Sequence, residues 1–347
     1  MGRFWGRSVG LALVCALAVA CSTDAPAPAP TSGVGSGSST PSVFEQALSD
    51  YNWRVRAAAA AGQRGDATGW AAADADALLD ADRYATRYAQ VSGVPGSAAP
   101  SDFCAKRQFG TVDEAYPRFL MGTYQARRFL SRSSAPASSS PSSSATAPDP
   151  NRLESVRDYL TVLEQATPSS PWLASLSFPV FVAELPTGPS GPATSDEQRR
   201  AATALAGPLL SWVRTGTPPV ELDLSVSVAS LRRLLLEKSD PVVHVELSCD
   251  LYQPVDPASG QSRSVRVARV GAGSLVTMSL RCSKTFVAVS GQTIGWTGPD
   301  AQLFGSAEAT TLTRPFVMGL LVSMPDVGRA SAFSFSASYV LPVDPHA

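Results

Sequence analysis

Cysteine is the residue type in this chain with the clearest chemistry. Five of the 347 residues are cysteine. One of them, Cys21, follows small residues at the end of an apolar run, residues 9–20, which two arginines precede. This order is typical of a bacterial lipoprotein signal, in which the thiol is joined to diacylglycerol and the cysteine becomes the first residue of the mature chain. We therefore predict residues 1–20 as a signal peptide and Cys21 as the lipidated residue.

An apolar run of this length could also be a membrane-spanning helix. Its twelve residues would form a helix about 18 Å long, whereas the hydrocarbon core of a bilayer is about 30 Å thick. Removal as a signal is therefore the better interpretation. Small residues also precede ordinary cleavage sites, so cleavage without lipid at Cys21 stays open as an alternative. Lipidation would anchor the chain to the extracytoplasmic face of the cell membrane.

Two further cysteines occupy predicted strands. Period-two alternation puts Cys249 on the apolar face of its strand with Val245. In the same way Cys282 shares an apolar face with Leu280. Because an exported chain meets oxidising surroundings, we predict a Cys249–Cys282 disulfide between neighbouring strands, with two reduced core cysteines as the alternative. Cys104 has no assigned role.

Acidic and histidine side chains give no catalytic pattern. His244 lies two residues from Glu246 on the polar face of its strand, which favours a solvated surface over an acid–base pair. On a helix Asp76 and Asp80 would repel each other, which can favour a cation, yet the spacing is not that of an EF-hand. We predict a solvated helix face, with no metal ligand, no cofactor and no catalytic residue. The acidic group consists of Asp74, Asp76, Asp80 and Asp82.

Tryptophan supplies the candidates for a ligand pocket. A curved sheet can enclose a pocket, and such pockets are lined by aromatic and aliphatic side chains. Tryptophans at helix–sheet contacts are more often part of the core, which is the alternative for the same residues. The pocket candidates are Trp53, Trp70, Trp172 and Trp212.

Composition limits the partners and the folded regions. Charged residues make up 16% of the chain, the net charge is -1 and no basic cluster is present, so we expect no nucleic-acid partner. Hydrophobic residues make up 44%, which is enough for a packed core. Two stretches rich in Ser, Pro, Ala and Gly are predicted to be disordered: a tether at 21–42 and a loop at 131–150.

The rest of the chain divides into two halves, 43–190 and 191–347, with the same order of elements. Helices come first and strands follow, which predicts the α+β class. Ser42 and Glu45 form the capping-box pattern at the start of the first helix. Residues 83–91 fit a helix better than a strand, and 180–182 resemble the centre of a buried strand. The other predicted helices are 43–61, 69–80, 196–214 with a kink at Gly207-Pro208, and 230–236; the predicted strands are 103–108, 119–129, 156–164, 172–185, 241–251, 263–270, 274–289, 312–324 and 332–341.

Several short motifs run in order through residues 43–342. They are the opening helix, Leu78-Leu79 with Asp82-Arg83-Tyr84, Tyr116-Pro117-Arg118-Phe119, Gly271-Ala272-Gly273-Ser274-Leu275-Val276 and Tyr339-Val340-Leu341-Pro342. Together with the lipidation signal they resemble a family of exported lipoproteins from high-GC Gram-positive bacteria. The resemblance implies two tandem cystatin-like or NTF2-like halves, each with N-terminal helices packed on a curved antiparallel sheet. The insertion at 131–150 and the cysteine pair depart from the family, which has no assigned activity.

These patterns lead to one functional expectation and its alternatives. We expect a membrane-anchored lipoprotein that acts as a non-catalytic binding or scaffold module at the cell envelope, with envelope proteins or a small apolar ligand as partners. The alternative is an NTF2-like enzyme, or a carrier of a small apolar ligand, with a pocket in the curved sheet. A structural envelope protein without a ligand is a third possibility.

Overall fold

The structure, a computed structural model, describes residues 41–94, 101–110, 116–129, 153–236 and 243–341. The predicted signal peptide, Cys21, residues 21–40 of the tether and the insertion 131–150 lie outside the described residues. The described part is a mixed α+β structure with curled antiparallel sheets. No helix in this part is long and apolar enough to cross a membrane.

Helices precede strands in two successive runs along the chain. The first run comprises α1 (Val43–Gln63), a 3-10 helix (Thr68–Ala72), α2 (Asp76–Ser92), β1 (Ser101–Phe109), β2 (Arg118–Phe129), β3 (Leu153–Gln165), β4 (Leu173–Pro179) and a 3-10 turn (Val182–Glu184). The second run comprises α3 (Asp196–Ala204), α4 (Ala206–Thr215), β5 (Leu222–Leu224), α5 (Val226–Leu236), β6 (Val243–Leu251), β7 (Val265–Val270), β8 (Gly273–Ala288), α6 (Pro299–Phe304), β9 (Thr311–Pro325) and β10 (Ala330–Tyr339).

Each run of strands forms its own sheet. Sheet 1 contains β1 to β4 in chain order, each antiparallel to its neighbour. Sheet 2 has the order β5-β10-β9-β8-β6 with β7 also paired to β8, and its pairs are antiparallel except for the short β5–β10 pair. Bulges at Lys106 in β1, Ser175 in β4 and Phe333 in β10 shift the register, and bulges of this kind bend a strand.

The two sheets pack against each other, and each carries helices on its other face. On β3, Leu163 packs with α1 and the first 3-10 helix, whereas Leu160 packs against sheet 2. On β8, Met278 packs with α3, α4 and α5, whereas Leu275 packs against sheet 1. The described part is therefore arranged in four layers: helices, sheet 1, sheet 2 and helices.

The first helix begins where the sequence predicts. Glu45 N donates to Ser42 Oγ at 3.1 Å, and Ser42 N donates to Glu45 Oε2 at 2.6 Å, which confirms the capping box. The apolar face of α1 lies on sheet 1, where the Phe44 ring packs directly over Gly122. A Cβ at Gly122 would lie 2.3 Å from Phe44 Cζ, so only glycine allows this approach.

The second predicted helix, 69–80, has the wrong bounds. The 3-10 helix ends at Ala72 and α2 begins at Asp76, because residues 73–75 bond to the edge strand β4 instead. Ala75 N donates to Ala174 O at 2.8 Å, and Ala174 N donates to Ala73 O at 3.0 Å. Helix α2 then continues through 83–91, which is helical as predicted.

The predicted strand 172–185 is too long. Strand β4 ends at Pro179, whose ring nitrogen cannot donate to a neighbouring strand. Phe181 is 76% exposed and Val182 is also exposed, so the apolar triplet 180–182 is not the centre of a buried strand. The kink predicted near Gly207-Pro208 is confirmed, since α3 ends at Ala204 and α4 begins at Ala206.

The disulfide predicted between neighbouring strands is present. Cys249 on β6 lies directly opposite Cys282 on β8, with the two Cα atoms 4.0 Å apart. Both cysteines are buried between sheet 2 and its helices, on the face that alternation predicts. Cys104 is buried in β1 and is not a free thiol.

Candidate binding site between the two sheets

Polar side chains interrupt the apolar interface between the two sheets. On β3, Glu164 follows Leu160 and Val162 on the face that meets sheet 2. On β8, Thr277 and Ser279 alternate with the residues that face the helices. Because both faces of each sheet are covered, these polar groups are largely removed from water, where an unpaired polar atom is costly. This polar strip is therefore a candidate functional site.

The strip lines a cleft that opens to solvent. Its enclosed space is about 10 Å³, and the rest of the cleft is open to solvent. Sheet 1, sheet 2 and the first residue of α2 all contribute to the lining. Val162 and Leu176 are its apolar residues, and carboxyl, guanidinium and hydroxyl groups make up most of the rest.

Charged groups in the cleft are paired with one another. Arg266 Nη2 lies 2.6 Å from Glu164 Oε2, and Arg266 Nε lies 3.3 Å from Glu164 Oε1, a bidentate arrangement. The Arg263 guanidinium lies 3.5 Å from the same carboxylate. The Arg266 and Glu164 side chains are only 14% and 10% exposed, and such burial is tolerated because each charge has its partner. The Phe119 ring, 5.5 Å from the Arg266 guanidinium, covers part of this cation.

Three hydroxyl groups in the cleft have no hydrogen-bond partner. Ser175, Thr277 and Ser279 are buried, and their hydroxyls bond to no group in the described part of the chain. Ser175 is the bulged residue of β4, and a bulge re-aims a side chain relative to a regular strand. Since a hydroxyl both donates and accepts, these three groups can bind water or a polar group of a ligand.

Asp76 enters the cleft with an unusual backbone conformation. Its φ is 48°, and no other residue in the described ranges apart from glycine has a positive φ. Gln253 Nε2 donates to Asp76 Oδ1 at 3.3 Å. Burial, and then the negative charge of Glu164, raise the pKa of the Asp76 carboxyl above its ordinary value. The Asp76 carboxyl therefore keeps its proton to a higher pH than an exposed aspartate does.

Tyr252 closes one side of the cleft and connects it to α2. Its hydroxyl donates to Asp80 Oδ2 at 2.7 Å, and the Arg281 guanidinium lies 4.6 Å from the centre of its ring. Burial, followed by the hydrogen bond with Asp80, raises the pKa of Tyr252 to about 12. The tyrosine therefore stays protonated and serves as a fixed hydrogen-bond donor.

The acidic group predicted to form a solvated helix face is partly buried instead. Asp74 is 1% exposed and Asp82 is 8% exposed. The prediction was wrong for Asp74 because residues 73–75 bond to β4 instead of continuing a helix, and for Asp82 because it lies on the buried face of α2. Tyr51 donates to Asp74 Oδ1 at 3.1 Å, and the Asp82 carboxyl lies within hydrogen-bonding reach of Asp74. Burial and the neighbouring carboxyl raise the pKa of Asp74 well above its ordinary value, and burial raises that of Asp82 to about 7.

The four tryptophans predicted as pocket candidates are not brought together. Trp70 and Trp172 are buried between sheet 1 and its helices, and Trp212 is buried between sheet 2 and its helices. Trp53 lies on α1 and is 69% exposed. None of the four lines the cleft.

The three cleft hydroxyls lack one feature of an activated nucleophile. None of the three is hydrogen-bonded to a base, as an activated nucleophile requires. His244 lies on the edge strand β6, exposed and 3.7 Å from Glu246. Among the described residues, no group of three or more His, Cys, Asp and Glu side chains is placed to hold a metal ion.

Comparison with known proteins assigns the chain to no family. No family model matches the sequence, and no curated protein matches it significantly. Among solved structures, the chain is similar to an Ntf2-like protein involved in plasmid conjugation, with 8% sequence identity over 74% of this chain and 84% of that one. The TM-score of this similarity is 0.15, and at that level it establishes neither the fold nor the function.

The cleft could not be predicted from the sequence, because its residues follow the same pattern as the exposed face of an ordinary sheet. Thr277 and Ser279 alternate with apolar residues, which is also the pattern of a sheet with one solvated side. Charged residues inside otherwise apolar strands, Glu164 in β3 and Arg266 in β7, were the available signal. Their pairing depends on how the two sheets pack, and no local pattern contains that information.

Proposed function

We propose that this protein is an exported lipoprotein, anchored through diacylglycerol on Cys21 to the extracytoplasmic face of the membrane, with a non-catalytic binding module as its folded part. The signal pattern in 1–20 and the tether at 21–42 support anchoring. The Cys249–Cys282 disulfide supports export, since disulfides persist in oxidising compartments. In this proposal the two runs of helices and strands are the tandem cystatin-like or NTF2-like halves that the motifs imply.

The three hydroxyl groups of the cleft are the observation that supports the binding role. The hydroxyls of Ser175, Thr277 and Ser279 bond to no group in the described part of the chain, and their oxygen atoms face the solvent of the cleft, where they can donate to or accept from another molecule. Beside them the Glu164–Arg266 pair offers further donors and acceptors. A polar group of another molecule would satisfy these atoms, so the polar lining favours a polar ligand group over the small apolar ligand that the sequence suggests.

The size and charge of the cleft narrow what it can accept. Its enclosed space is only about 10 Å³, room for about one water molecule, so the cleft can enclose a single small polar group and not a complete small molecule. Two carboxyl groups and two guanidinium groups balance in charge, so a strongly charged ligand gains little there. The cleft therefore suits an uncharged polar group, such as a hydroxyl or an amide, that belongs to a larger molecule of the cell envelope.

Native mass spectrometry of protein purified from its own membranes tests this role. The wild type is compared with Thr277→Val/Ser279→Ala, which removes two cleft hydroxyls at nearly constant volume. We expect a bound molecule on the wild type that the double variant has lost. Ser283→Ala is the matched control, because Ser283 lies on the same strand outside the cleft and has no side-chain hydrogen bond in the described residues. The same bound mass on all three proteins would exclude the cleft as the site.

One observation favours an NTF2-like enzyme as a second candidate. Asp76 combines a raised pKa with a left-handed backbone, and both features recur at catalytic sites. Asp76→Asn distinguishes the two candidates. If the protein is a binding module, any molecule bound to Asp76→Asn has the same mass as the molecule bound to the wild type. An enzyme carries a chemically altered molecule in the wild type and the unaltered one in Asp76→Asn.

A further inference from the structure

Asp74 and Asp82 form a buried carboxyl pair that the proposed binding role does not use. Two ionised carboxylates can only accept hydrogen bonds, so contact between them requires a proton on one of them. Asp74 Oδ2 is buried and receives no hydrogen bond from a donor in the described residues. A proton shared with the adjacent Asp82 carboxyl satisfies this atom. The pair therefore carries at most one negative charge in this structure.

The surroundings of the pair compensate a second negative charge only in part. Tyr51 and Arg54, both on α1, are the other ionisable groups that act on Asp74. Tyr51 donates to Asp74 Oδ1, but Arg54 is bonded elsewhere, to Asp50 at 2.7 Å and to the carbonyl oxygen of Trp172. The 3-10 helix and β4, which also pack here, contain no ionisable side chain.

The pair lies at a joint between three parts of the fold. Residues 73–75 connect the 3-10 helix to α2 and are hydrogen-bonded in both directions to Ala174 of β4. Asp76 follows directly and lines the cleft. One turn further along α2, Asp80 accepts a hydrogen bond from Tyr252, which also lines the cleft. A movement of this joint would therefore change the cleft.

We propose that the Asp74–Asp82 pair is a pH-sensitive latch: it holds residues 73–75 and the start of α2 on β4 while the proton is shared, and it releases them when both carboxyls ionise. Two like charges in a site without water repel each other strongly. The repulsion is relieved when one carboxylate turns into water, and this requires residues 73–75 to leave β4. Opening at this point uncovers the cleft beside Asp76, whatever ligand the cleft takes.

The direction of the pH response follows from proton linkage. The closed latch binds its protons more tightly than the open one, because burial raises the pKa of both carboxyls. Opening therefore becomes more favourable as the pH rises, until the closed pair has also ionised. Asp82 alone, with a closed-state pKa of about 7, raises the opening equilibrium about tenfold between about pH 6 and about pH 8, and the raised pKa of Asp74 adds to this rise.

Hydrogen exchange of the full chain, read by mass spectrometry, tests the latch. Peptides that cover 73–92 and 172–179 are compared at about pH 6 and about pH 8, after correction for the intrinsic pH dependence of exchange. We expect protection in these peptides to fall at least about tenfold in the wild type. Asp82→Asn keeps the shape and removes one of the two titrating carboxyls, so its protection should fall about tenfold less than that of the wild type. Asp250→Asn is the matched control, because it removes an exposed carboxyl on β6, and it should behave as the wild type does.

Two results would overturn the latch. One is equal corrected protection of the wild type at both pH values, and the other is a fall of the same size in Asp82→Asn. If Asp82→Asn does not fold, carbon-13 NMR of the wild-type aspartate carboxyls replaces it. A carboxyl that is still protonated at about pH 6 supports the latch, whereas titration of every aspartate below about pH 5 rejects it.

Discussion

The Tyr84 hydroxyl of α2 lies 2.7 Å from Nη2 of Arg314 on β9, so the helix that packs against β4 of sheet 1 is also hydrogen-bonded to sheet 2. The same guanidinium pairs with both oxygens of Asp300, at 2.9 and 3.1 Å, and lies 3.6 Å from the centre of the Tyr339 ring. The Arg314 and Asp300 side chains are both largely buried. This contact joins α2 and α6 to sheet 2 at a point away from the cleft.

Removal of the Tyr84 hydroxyl should weaken this joint. In Tyr84→Phe the Arg314 guanidinium loses one acceptor inside the protein, and we expect the free energy of unfolding to fall by about 1 to 2 kcal/mol. Urea denaturation measures the change. Tyr88→Phe is the matched control, since Tyr88 lies one turn later on α2 without a hydrogen bond in the described residues, and it should change stability by less than about 0.5 kcal/mol. Equal losses in the two variants would show that the Tyr84–Arg314 bond has no specific role.

The docking of α1 on sheet 1 depends on the absence of a side chain at Gly122. In Gly122→Ala the new Cβ would lie 2.3 Å from Phe44 Cζ, so the ring must shift or α1 must move away. We expect a loss of about 1 to 3 kcal/mol in unfolding free energy. Gly207→Ala on α4 has nothing within 4 Å of its Cβ and should be neutral or slightly stabilising. A tolerated Gly122→Ala would contradict the packing of Phe44.

The Cys249–Cys282 bond should contribute measurably to the stability of sheet 2. The two cysteines are 33 residues apart in sequence, and loop-closure entropy gives about 4 kcal/mol for a loop of this length. Cys249→Ala/Cys282→Ala should lower the unfolding free energy by about that amount. Peptide mapping without reduction should recover the two cysteines in one cross-linked fragment, and free thiols at both positions would exclude the bond.

Stability should fall as the pH rises through the range in which the buried pair titrates. Asp82 has a pKa of about 7 in the folded protein against 3.8 ordinarily, so between these values the folded chain binds more protons than the unfolded chain. The stability that this carboxyl contributes is complete below about pH 4 and is lost by about pH 7. Asp196 and Asp326, whose pKa values are lowered by bonds to Arg199 and Arg269, act in the opposite sense only at more acidic pH.

Urea denaturation at several pH values checks this dependence. The unfolding free energy of the wild type should decrease from about pH 4 to at least about pH 7. In Asp82→Asn the decrease should be smaller by the part that Asp82 contributes, and the remainder should persist because burial still raises the pKa of Asp74. Curves of the same slope for both proteins would show that the pair does not keep its proton in the folded state.

Local patterns predicted the parts of this fold that local interactions determine. The capping box at Ser42 and the kink before Pro208 depend on neighbours in the chain, and both were predictable. The cross-strand position of Cys249 and Cys282 followed from alternation alone, because both strands have one face on the same core.

The parts that were missed depend on distant contacts. Asp74 is buried because residues 73–75 bond to β4, about a hundred positions away in sequence, and not because of any helical pattern. The bulge at Ser175 and the Glu164–Arg266 pair arise where the two sheets meet. The cleft and the carboxyl pair thus required the tertiary structure, since the same residues fit a solvated surface equally well in the sequence.

The mass of the mature N-terminal peptide tests the proposed anchoring most directly. Protein is isolated from the membrane fraction of its own host and digested, and the N-terminal peptide is analysed by mass spectrometry. The proposal predicts a chain that begins at Cys21 and carries a diacylglycerol group, with or without a further acyl chain such as palmitate. Cys21→Ala, as the matched variant, should leave the membrane fraction or remain as the uncleaved precursor. An N-terminus at Met1, or an unmodified Cys21 in membrane-bound wild type, would contradict the account.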